Sequence, residues 1–233
     1  MTSFDPAAIV ARLADLRAAE AGLGPHRHDR TVPPPVDPGL LARVEELAGV
    51  PLPADYRAFL TGVGDGAPGP YYGITPLEDA LEQVTGAWGA SVLGADSPLT
   101  GDVDFTEELG GPADWEEHVA RLDADPDYAA GFDRLQGVYL DEPWCQGRLP
   151  IADYGCGDWF FLVVRGPSRG TVWVDSVVGA TGLYSLEVDF GTWYTRWLDD
   201  AVERALRGEP AGTADAHYPC LRYGNNPRHR PVT

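Results

Sequence analysis

The sequence predicts an α+β fold in which helices pack on a sheet, and three observations lead to this prediction. Apolar residues recur at helical spacing behind helix-start signals in several segments. Two runs rich in β-branched and aromatic residues, 159–164 and 171–174, are joined by Gly-Pro-Ser-Arg-Gly, as in a β-hairpin. The chain of 233 residues is also long enough to bury a large core without a metal or a disulfide.

The N-terminal residues predict a helix followed by a linker. Asp5 and Pro6 form a helix-start signal, with Asp as the N-cap and Pro at the first helical position. Apolar residues then recur every three or four positions, so we expect a helix over 6–21. Residues 22–35 contain Gly-Pro and Pro-Pro-Pro, which break regular structure and indicate a linker.

Three further helices are expected before residue 85. A second Asp-Pro pair at 37–38 begins a helix that ends at Gly49. Residues 54–60 form a short helix with an aromatic stripe, and 76–84 form another. Between these two helices, Tyr-Tyr-Gly-Ile at 71–74 is a candidate short strand.

Residues 87–148 are the least regular part of the sequence. They are rich in Gly and Asp, and they contain two segments, 114–122 and 128–135, in which we expect helices. We interpret the whole stretch as a variable insertion or an elaborated layer of loops on the rest of the domain.

Regular structure is expected again after residue 148. Strands are predicted at 149–152, 158–165 and 171–177, where β-branched and aromatic residues are frequent. A last helix over 192–206 carries apolar residues on one side, and Gly208 provides its C-terminal cap.

The charge of the chain excludes two classes of partner. Thirty-six Asp and Glu face seventeen basic residues, all of them Arg, which gives a formal net charge of −19. Thirty-two of the acids but only ten of the Arg lie within 32–220. Nucleic acids and anionic membranes bind clustered cations, so neither is an expected partner. A basic protein, a cationic ligand or solubility alone would fit this charge.

The expected compartment is the cytoplasm. The first twenty residues lack the basic start and apolar run of a signal peptide, and no eighteen apolar residues are consecutive. The three cysteines are scattered, without Cys-x-x-Cys spacing, as in a protein from a reducing compartment. The use of Arg alone, with abundant Ala, Gly and Pro, is typical of GC-rich bacterial genomes.

Several sequence patterns match known signatures but lie in the wrong context. Gly-Asp-Gly-Ala-Pro-Gly at 64–69 follows a helix instead of a strand, which favours a plain loop over a nucleotide site. Gly-Pro-Ser-Arg-Gly at 166–170 precedes a strand, which favours a hairpin turn over a nucleophile elbow. Asp-Ala-Asp-Pro-Asp at 123–127 lacks the Gly and Glu of a calcium loop. The histidines, including His118, lack metal-site spacing and are expected to be isolated surface residues.

The carboxylates near the predicted strands do not form a recognisable catalytic site. Asp153, Asp158 and Asp175 border strands near Gly turns, where Asp commonly accepts hydrogen bonds from the turn backbone. No nucleophile has a base at a recognisable spacing. We therefore expect no enzyme, no cofactor, and no catalytic, cofactor-binding or metal-ligating residues.

Two stretches carry a recognisable family pattern. The first, at 44–60, reads VEELAGVPLPADYRAFL and is followed by Gly-Asp-Gly at 64–66. The second, at 149–162, reads LPIADYGCGDWFFL and is followed by GTVWVD at 170–175. Together they resemble the SUKH superfamily, in which a capped helix with an aromatic face precedes a polar turn and a pair of strands. The Gly-rich loop lacks the Asn that is usual in the family.

The resemblance covers about 37–207 and implies a central, mainly antiparallel sheet flanked by helices. On this basis we expect a SUKH-like domain over 36–208, with 87–148 as its insertion. A helix and a Pro-rich linker over 1–35 would precede this domain, and a tail over 209–233 would follow it.

The resemblance also implies a non-catalytic, protein-binding function. Bacterial SUKH members are typically immunity proteins that bind and neutralise a cognate toxin, often a nuclease. The cationic cleft of a nuclease would attract an acidic domain, so a cognate toxin or another basic protein is the expected partner. One alternative is a regulator or scaffold of cell-wall synthesis, as in the fungal relatives. Another is a small-ligand binder or enzyme with an aromatic-acidic pocket. The oligomeric state is left open.

Aromatic residues near acids are the candidate partner contacts, because aromatic anchors dominate interface energetics. Core packing is the competing interpretation for each aromatic residue, and simple solvation is the competing interpretation for each acid. The candidates are Asp65, Tyr71, Tyr72, Asp141, Glu142, Trp144, Asp153, Tyr154, Asp158 and Asp175.

Overall fold

A five-stranded antiparallel sheet lies at the centre of the protein in our computed structural model. The structure describes residues 4–20, 31–112, 114–179, 181–209 and 218–229. Its strands are β1 (Val103–Asp104), β2 (Arg148–Gly155), β3 (Asp158–Val163), β4 (Thr171–Ser176) and β5 (Gly182–Asp189). They lie side by side in the order β1-β5-β4-β3-β2. The predicted α+β class, with its antiparallel sheet flanked by helices, is confirmed.

The helices of the described ranges lie on both faces of the sheet. They are α1 (Pro6–Glu20), α2 (Pro38–Ala48), α3 (Ala54–Gly62), α4 (Leu77–Trp88), α5 (Phe105–Glu108), α6 (Trp115–Ala124), α7 (Pro126–Tyr139), α8 (Glu142–Cys145) and α9 (Phe190–Leu206). Two short 3₁₀ turns cover Ala90–Gly94 and Pro219–Leu221. Within the described ranges, none of these helices combines the length and the apolar character that crossing a bilayer requires.

The first face of the sheet is covered by α1 to α4 and α9. The aromatic stripe of α3 is fully buried and packs edge-on against α9, with 4.8 Å between the ring centres of Tyr56 and Phe190. Phe59 meets Tyr194 in the same way at 4.7 Å. Alternate residues of β3, such as Phe160, face this core, as the period of a strand requires.

The N-terminal helix belongs to this first layer. Asp5 caps α1 by accepting a hydrogen bond from Ala7 N at 3.0 Å, as the Asp-Pro signal predicts. The apolar side of α1 joins the first core through Leu13 and Leu16, and Arg12 Nε lies 3.2 Å from Asp199 Oδ1 of α9. Residues 31–35 of the predicted linker form neither helix nor strand, and 21–30 lie outside the described residues.

The second face of the sheet is covered by residues within 99–144. They include β1 and the helices α5 to α7, and their apolar side chains form a separate core with the outward-alternating residues of β3 and β4. Trp88, Val92, Leu93 and Cys145, which also belong to the 87–148 stretch, pack in the first core instead. Phe105 is fully buried in the separate core and meets the ring of Tyr139 at 5.4 Å. The sheet residues opposite them include Phe161 and Trp173. The strands are therefore apolar on both sides, which explains their nearly continuous hydrophobic runs.

Two local predictions are wrong. Residues 71–74 do not form a strand, because Tyr71 and Gly73 lie in a turn with φ of 53° and 90°, and only Ile74 forms a bridge, to Ala152. His118 is not on an exposed helix face. It is buried between α6 and α7, with Nδ1 2.8 Å from the hydroxyl oxygen of Tyr128, and burial lowers its pKa. Charged neighbours in the sequence do not show whether a helix face is exposed or is covered by another helix, so they could not predict the burial of His118.

The remaining histidines and the Asp-Pro turn need only brief description. His229 Nδ1 lies 3.0 Å from the carbonyl oxygen of Tyr218, whereas the histidines at 26, 28 and 217 lie outside the described residues. Asp125 accepts hydrogen bonds from the backbone N–H groups at the start of α7, so residues 123–127 form the expected turn between helices.

Candidate partner-binding surface

The structure places the ten candidate contact residues in three separate parts of the molecule. Five lie around the turn between β2 and β3, four lie on the second face just before β2 or near the end of β4, and Asp65 lies in the loop between α3 and α4. No pattern in the sequence predicts this division, because the division depends on strand pairing instead of chain order.

The first group surrounds the turn that joins β2 to β3. The ring of Tyr71 packs edge-on against that of Tyr154 with 4.4 Å between centres, and its hydroxyl donates to the carbonyl oxygen of Pro219 at 2.8 Å. Tyr72 remains half exposed. Asp153 Oδ1 accepts a hydrogen bond from the backbone N–H of Gly155 at 2.7 Å.

Asp158, at the start of β3, is the most buried acid of this group. Its Oδ2 accepts from the hydroxyl of Ser176 at 2.7 Å, and its Oδ1 accepts from the backbone N–H of Gly179 at 3.0 Å. The side chain is only 7% exposed. Burial raises its pKa, the two hydrogen bonds oppose that rise, and the negative charges of Asp175 and Asp153 add to it.

Asp158 lies in a cleft of about 420 Å³ at the end of the sheet where β2 and β4 finish. The residues that line this cleft come from all five strands, from α5, from the residue before α6, from the turn between β4 and β5 and from the C-terminal residues. They are Asp104, Thr106, Asp114, Tyr154, Asp158, Ser176, Gly179, Thr181, Tyr184, Tyr218, Pro219 and Cys220. Of the ten predicted contact residues, only Tyr154 and Asp158 line it.

A second buried carboxylate, Asp104, lies in the same cleft. Its Oδ1 caps α5 by accepting from the N–H and hydroxyl of Thr106 and from the N–H of Glu107. Its Oδ2 lies 3.0 Å from Arg228 Nη1 and 3.2 Å from the hydroxyl of Tyr184. Both carboxylates therefore accept hydrogen bonds from donors of this chain.

Residues 218–229, which we call the C-terminal segment, close one side of the cleft with Tyr218 and Cys220. Arg228 holds this segment on β1 and α5, because its guanidinium nitrogens lie within 3.2 Å of carboxylate oxygens of Asp102, Asp104 and Glu107. Burial raises the pKa of the Cys220 thiol to about 12, so this thiol stays protonated near neutral pH.

The second group of candidates lies on the second face, just before β2 and near the end of β4. Asp175 Oδ2 pairs with the buried Arg148 Nη2 at 2.7 Å, and the Arg148 guanidinium stacks 4.4 Å above the centre of the Phe161 ring. Trp144 packs on Tyr139 with 4.5 Å between centres and stays partly exposed. The neighbouring acids at 141 and 142 are exposed, and the first of them caps α8.

Asp65 has a local structural contact. Its Oδ1 accepts a hydrogen bond from the backbone N–H of Leu77 at 2.7 Å, at the start of α4. Burial raises its pKa. The acid is half-buried in the loop between α3 and α4.

Negative charge is concentrated in residues 87–148. We call these residues the acidic layer, because they hold fourteen Asp and Glu but only three Arg. Arg148 is buried beneath this layer, and Arg121 pairs with Asp125 at 3.4 Å. Twelve of the fourteen acids are exposed: Asp96, Asp102, Glu107, Glu108, Asp114, Glu116, Glu117, Asp123, Asp127, Asp133, Asp141 and Glu142. The layer thus presents a strongly negative surface.

Among the residues whose positions are described, no three His, Cys, Asp or Glu side chains are grouped so that they could hold one metal ion. The carboxylates of Asp153, Asp158 and Asp175 all accept hydrogen bonds from backbone N–H groups of turns, as expected from their positions beside glycines and strand ends.

The fold is that of an α+β domain whose antiparallel sheet lies between two cores. The family model of the SMI1 / KNR4 family (SUKH-1) matches residues 35–196, which include the sheet, the acidic layer and the start of α9. The chain therefore belongs to the SMI1 / KNR4 family, and the resemblance to the SUKH superfamily is confirmed. No curated protein and no solved structure gives a significant match.

Proposed function

We propose that this chain is an immunity-type protein that binds and neutralises a basic toxin, of the nuclease class, without catalysing a reaction. Bacterial members of the SUKH superfamily typically have this function. The observation that carries the proposal for this chain is the charge of the acidic layer, which contains twelve exposed acids.

Such a surface suits a toxin whose active site binds phosphate. A nuclease needs a cationic cleft, and a negative surface of this size attracts that cleft during diffusion and repels acidic competitors. Binding over the cleft would block access of the nucleic acid. Neutralisation therefore needs only complementarity and affinity, and no chemistry at the immunity protein.

Exposed apolar residues within the same layer supply the contacts that charge alone does not. Val138 is 52% and Leu140 42% exposed, and both lie next to the acids at 141 and 142. Val119 on α6 is also exposed. A partner that covers these side chains would bury an apolar centre within a charged rim, which is the usual arrangement of a protein interface.

The test is co-expression with a candidate toxin. The C-terminal domain of a large secreted protein encoded beside this chain's gene is produced in a bacterial host, alone and with this chain. We expect the chain to restore growth and to co-purify with the toxin domain. A combined variant that neutralises Glu117, Asp133 and Glu142 should lose most of this protection, because all three are exposed acids of the layer.

A matched control removes the same charge from the opposite side. The control variant neutralises Glu46, Glu78 and Glu82, which are exposed on α2 and α4 of the first face. We expect it to protect as well as the wild-type chain. Failure of the wild-type chain to restore growth would overturn the proposal, and equal loss in both variants would overturn the assignment of the acidic layer.

A further inference from the structure

The cleft at the end of the sheet has an excess of negative charge. Three carboxylates line it, those of Asp104, Asp114 and Asp158, and no Arg, Lys or His side chain is among the lining residues. Arg228 neutralises Asp104 from outside this lining. Asp158 accepts hydrogen bonds from two neutral donors, the hydroxyl of Ser176 and the backbone N–H of Gly179. None of the ion pairs found among the described residues includes Asp158. A buried carboxylate without a cation favours the entry of one.

The sides of the cleft are suited to an organic cation. Tyr154, Tyr184 and Tyr218 contribute aromatic rings, and ring faces attract cations. The volume of about 420 Å³ falls within the range of roughly 300–1,000 Å³ that small-molecule sites occupy. Asp114 is exposed and Tyr154 is partly exposed, so a side chain can enter from the surface and reach the buried Asp158.

The chain itself shows which cation such a site accommodates. The guanidinium carbon of Arg228 lies 5.8 Å from the ring centre of Tyr184 while its nitrogen contacts Asp104. Arg121 repeats this arrangement, 4.2 Å above Tyr128 and paired with an acid. A guanidinium group stacks on rings and is more weakly hydrated than an ammonium group, so a tyrosine and carboxylate site favours arginine over lysine.

We propose that the cleft binds the guanidinium group of an arginine side chain that the partner protein presents. Asp158 accepts the charged hydrogen bonds, and the tyrosine rings enclose the stem and the planar group. The claim that a partner supplies this arginine rests on the proposed function above. The affinity of the cleft for a guanidinium group can be tested on this chain alone.

The first experiment uses the full chain and two small probes of equal shape. Propylguanidinium is titrated into the protein and compared with propylurea, its neutral counterpart, while the backbone amide signals of Ser176, Gly179 and Thr181 are followed by NMR. We expect saturable shifts with propylguanidinium only. The Asp158→Asn variant should weaken this binding about tenfold, since it removes a charged hydrogen bond. No saturable shift, equal shifts with propylurea, or shifts with calcium ions alone would overturn the proposal.

Two further variants keep this result independent of folding. Asp123→Asn removes the same charge from an exposed position outside the cleft and should bind propylguanidinium like the wild-type chain. Tyr154→Leu keeps every carboxylate but removes one ring, and we expect it to weaken binding roughly threefold. Equal weakening by Asp123→Asn would show that net charge, and not the cleft, attracts the probe, and would overturn the proposal.

The second experiment measures affinity for the co-expressed toxin domain. Asp158→Asn should weaken that complex by about thirtyfold, and Asp123→Asn by less than about threefold, because only the first leaves a buried guanidinium unpaired. Unchanged toxin affinity in Asp158→Asn would overturn the proposal that an arginine of the partner enters the cleft. Toxin neutralisation without propylguanidinium binding would overturn the cleft assignment alone. Propylguanidinium binding without any toxin binding would instead overturn the proposed function, and with it the proposal that a toxin arginine enters the cleft.

Discussion

Truncating Phe105 to Ala should destabilise the whole domain, because the acidic layer and the sheet share one core. Phe105 has no exposed surface, and its ring centre lies 5.7 Å from that of Phe132 and 5.4 Å from that of Tyr139. Removing a buried Phe side chain costs about 3–5 kcal/mol of the free energy of unfolding. For a chain of this size, that loss lowers Tm by roughly 6–20 °C.

Urea unfolding followed by both circular dichroism and tryptophan fluorescence measures this loss. Trp173 belongs to the second core and Trp193 to the first, so fluorescence reports on both sides of the sheet. We expect one transition with coincident curves in the wild-type chain and in Phe105→Ala. Val138→Ala is the matched control, because Val138 is 52% exposed and its truncation should cost less than about 0.5 kcal/mol.

A decrease of less than about 1 kcal/mol in the free energy of unfolding of Phe105→Ala would contradict this prediction, because removing a fully buried ring from a core that the layer and the sheet share should destabilise the protein more than that. An early transition confined to part of the signal would refute it too, because it would show that the acidic layer unfolds without the sheet.

Three other perturbations follow from particular contacts. Arg228→Gln leaves the buried Asp104 without its cation, so we expect a loss of about 1–3 kcal/mol in urea unfolding, and a loss below about 0.5 kcal/mol would contradict this. An aromatic disulfide reagent should label the exposed Cys156 rapidly in the native protein and leave the buried Cys220 unreacted until unfolding; equal labelling rates would contradict the structure. Because burial raises the pKa of Asp158 above its ordinary 3.8, the folded state holds that proton more tightly than the unfolded chain does. As pH rises from the ordinary pKa of an Asp through the raised pKa of Asp158, the wild-type chain should therefore lose stability that Asp158→Asn keeps. The free energy of unfolding of Asp158→Asn relative to wild type should increase over this pH range, and a difference that does not change with pH would contradict the raised pKa of Asp158.

The parts of the fold that the sequence predicts are those with a local period. The helix α3 and the hairpin of β3 and β4 were visible because apolar residues recur at 3.6 or 2 positions and a Gly-Pro turn joins the strands. In contrast, β1 is only two residues long and carries no period. The strand β5 was also missed, although apolar and polar residues alternate over 184–189 and its burial follows that alternation, so a period-2 signal was present in the sequence.

The cleft could not be predicted for a different reason. Asp104 and Tyr184 are eighty positions apart, and only the pairing of β1 with β5 brings them together. Tyr218 arrives from the far end of the chain, where Arg228 holds the C-terminal segment in place. Local sequence indicated Tyr154 and Asp158, which border a glycine turn, but it carried no signal for the residues opposite them.

The rate of association with the toxin domain tests the central claim most directly, because that claim assigns the negative charge of the acidic layer to partner binding. The rate constant is measured by stopped-flow fluorescence from about 0.01 M to about 0.5 M salt, over which the Debye length falls from about 30 Å to below 5 Å. We predict that association slows by at least about tenfold over this range. An association rate that does not change with salt would contradict the claim.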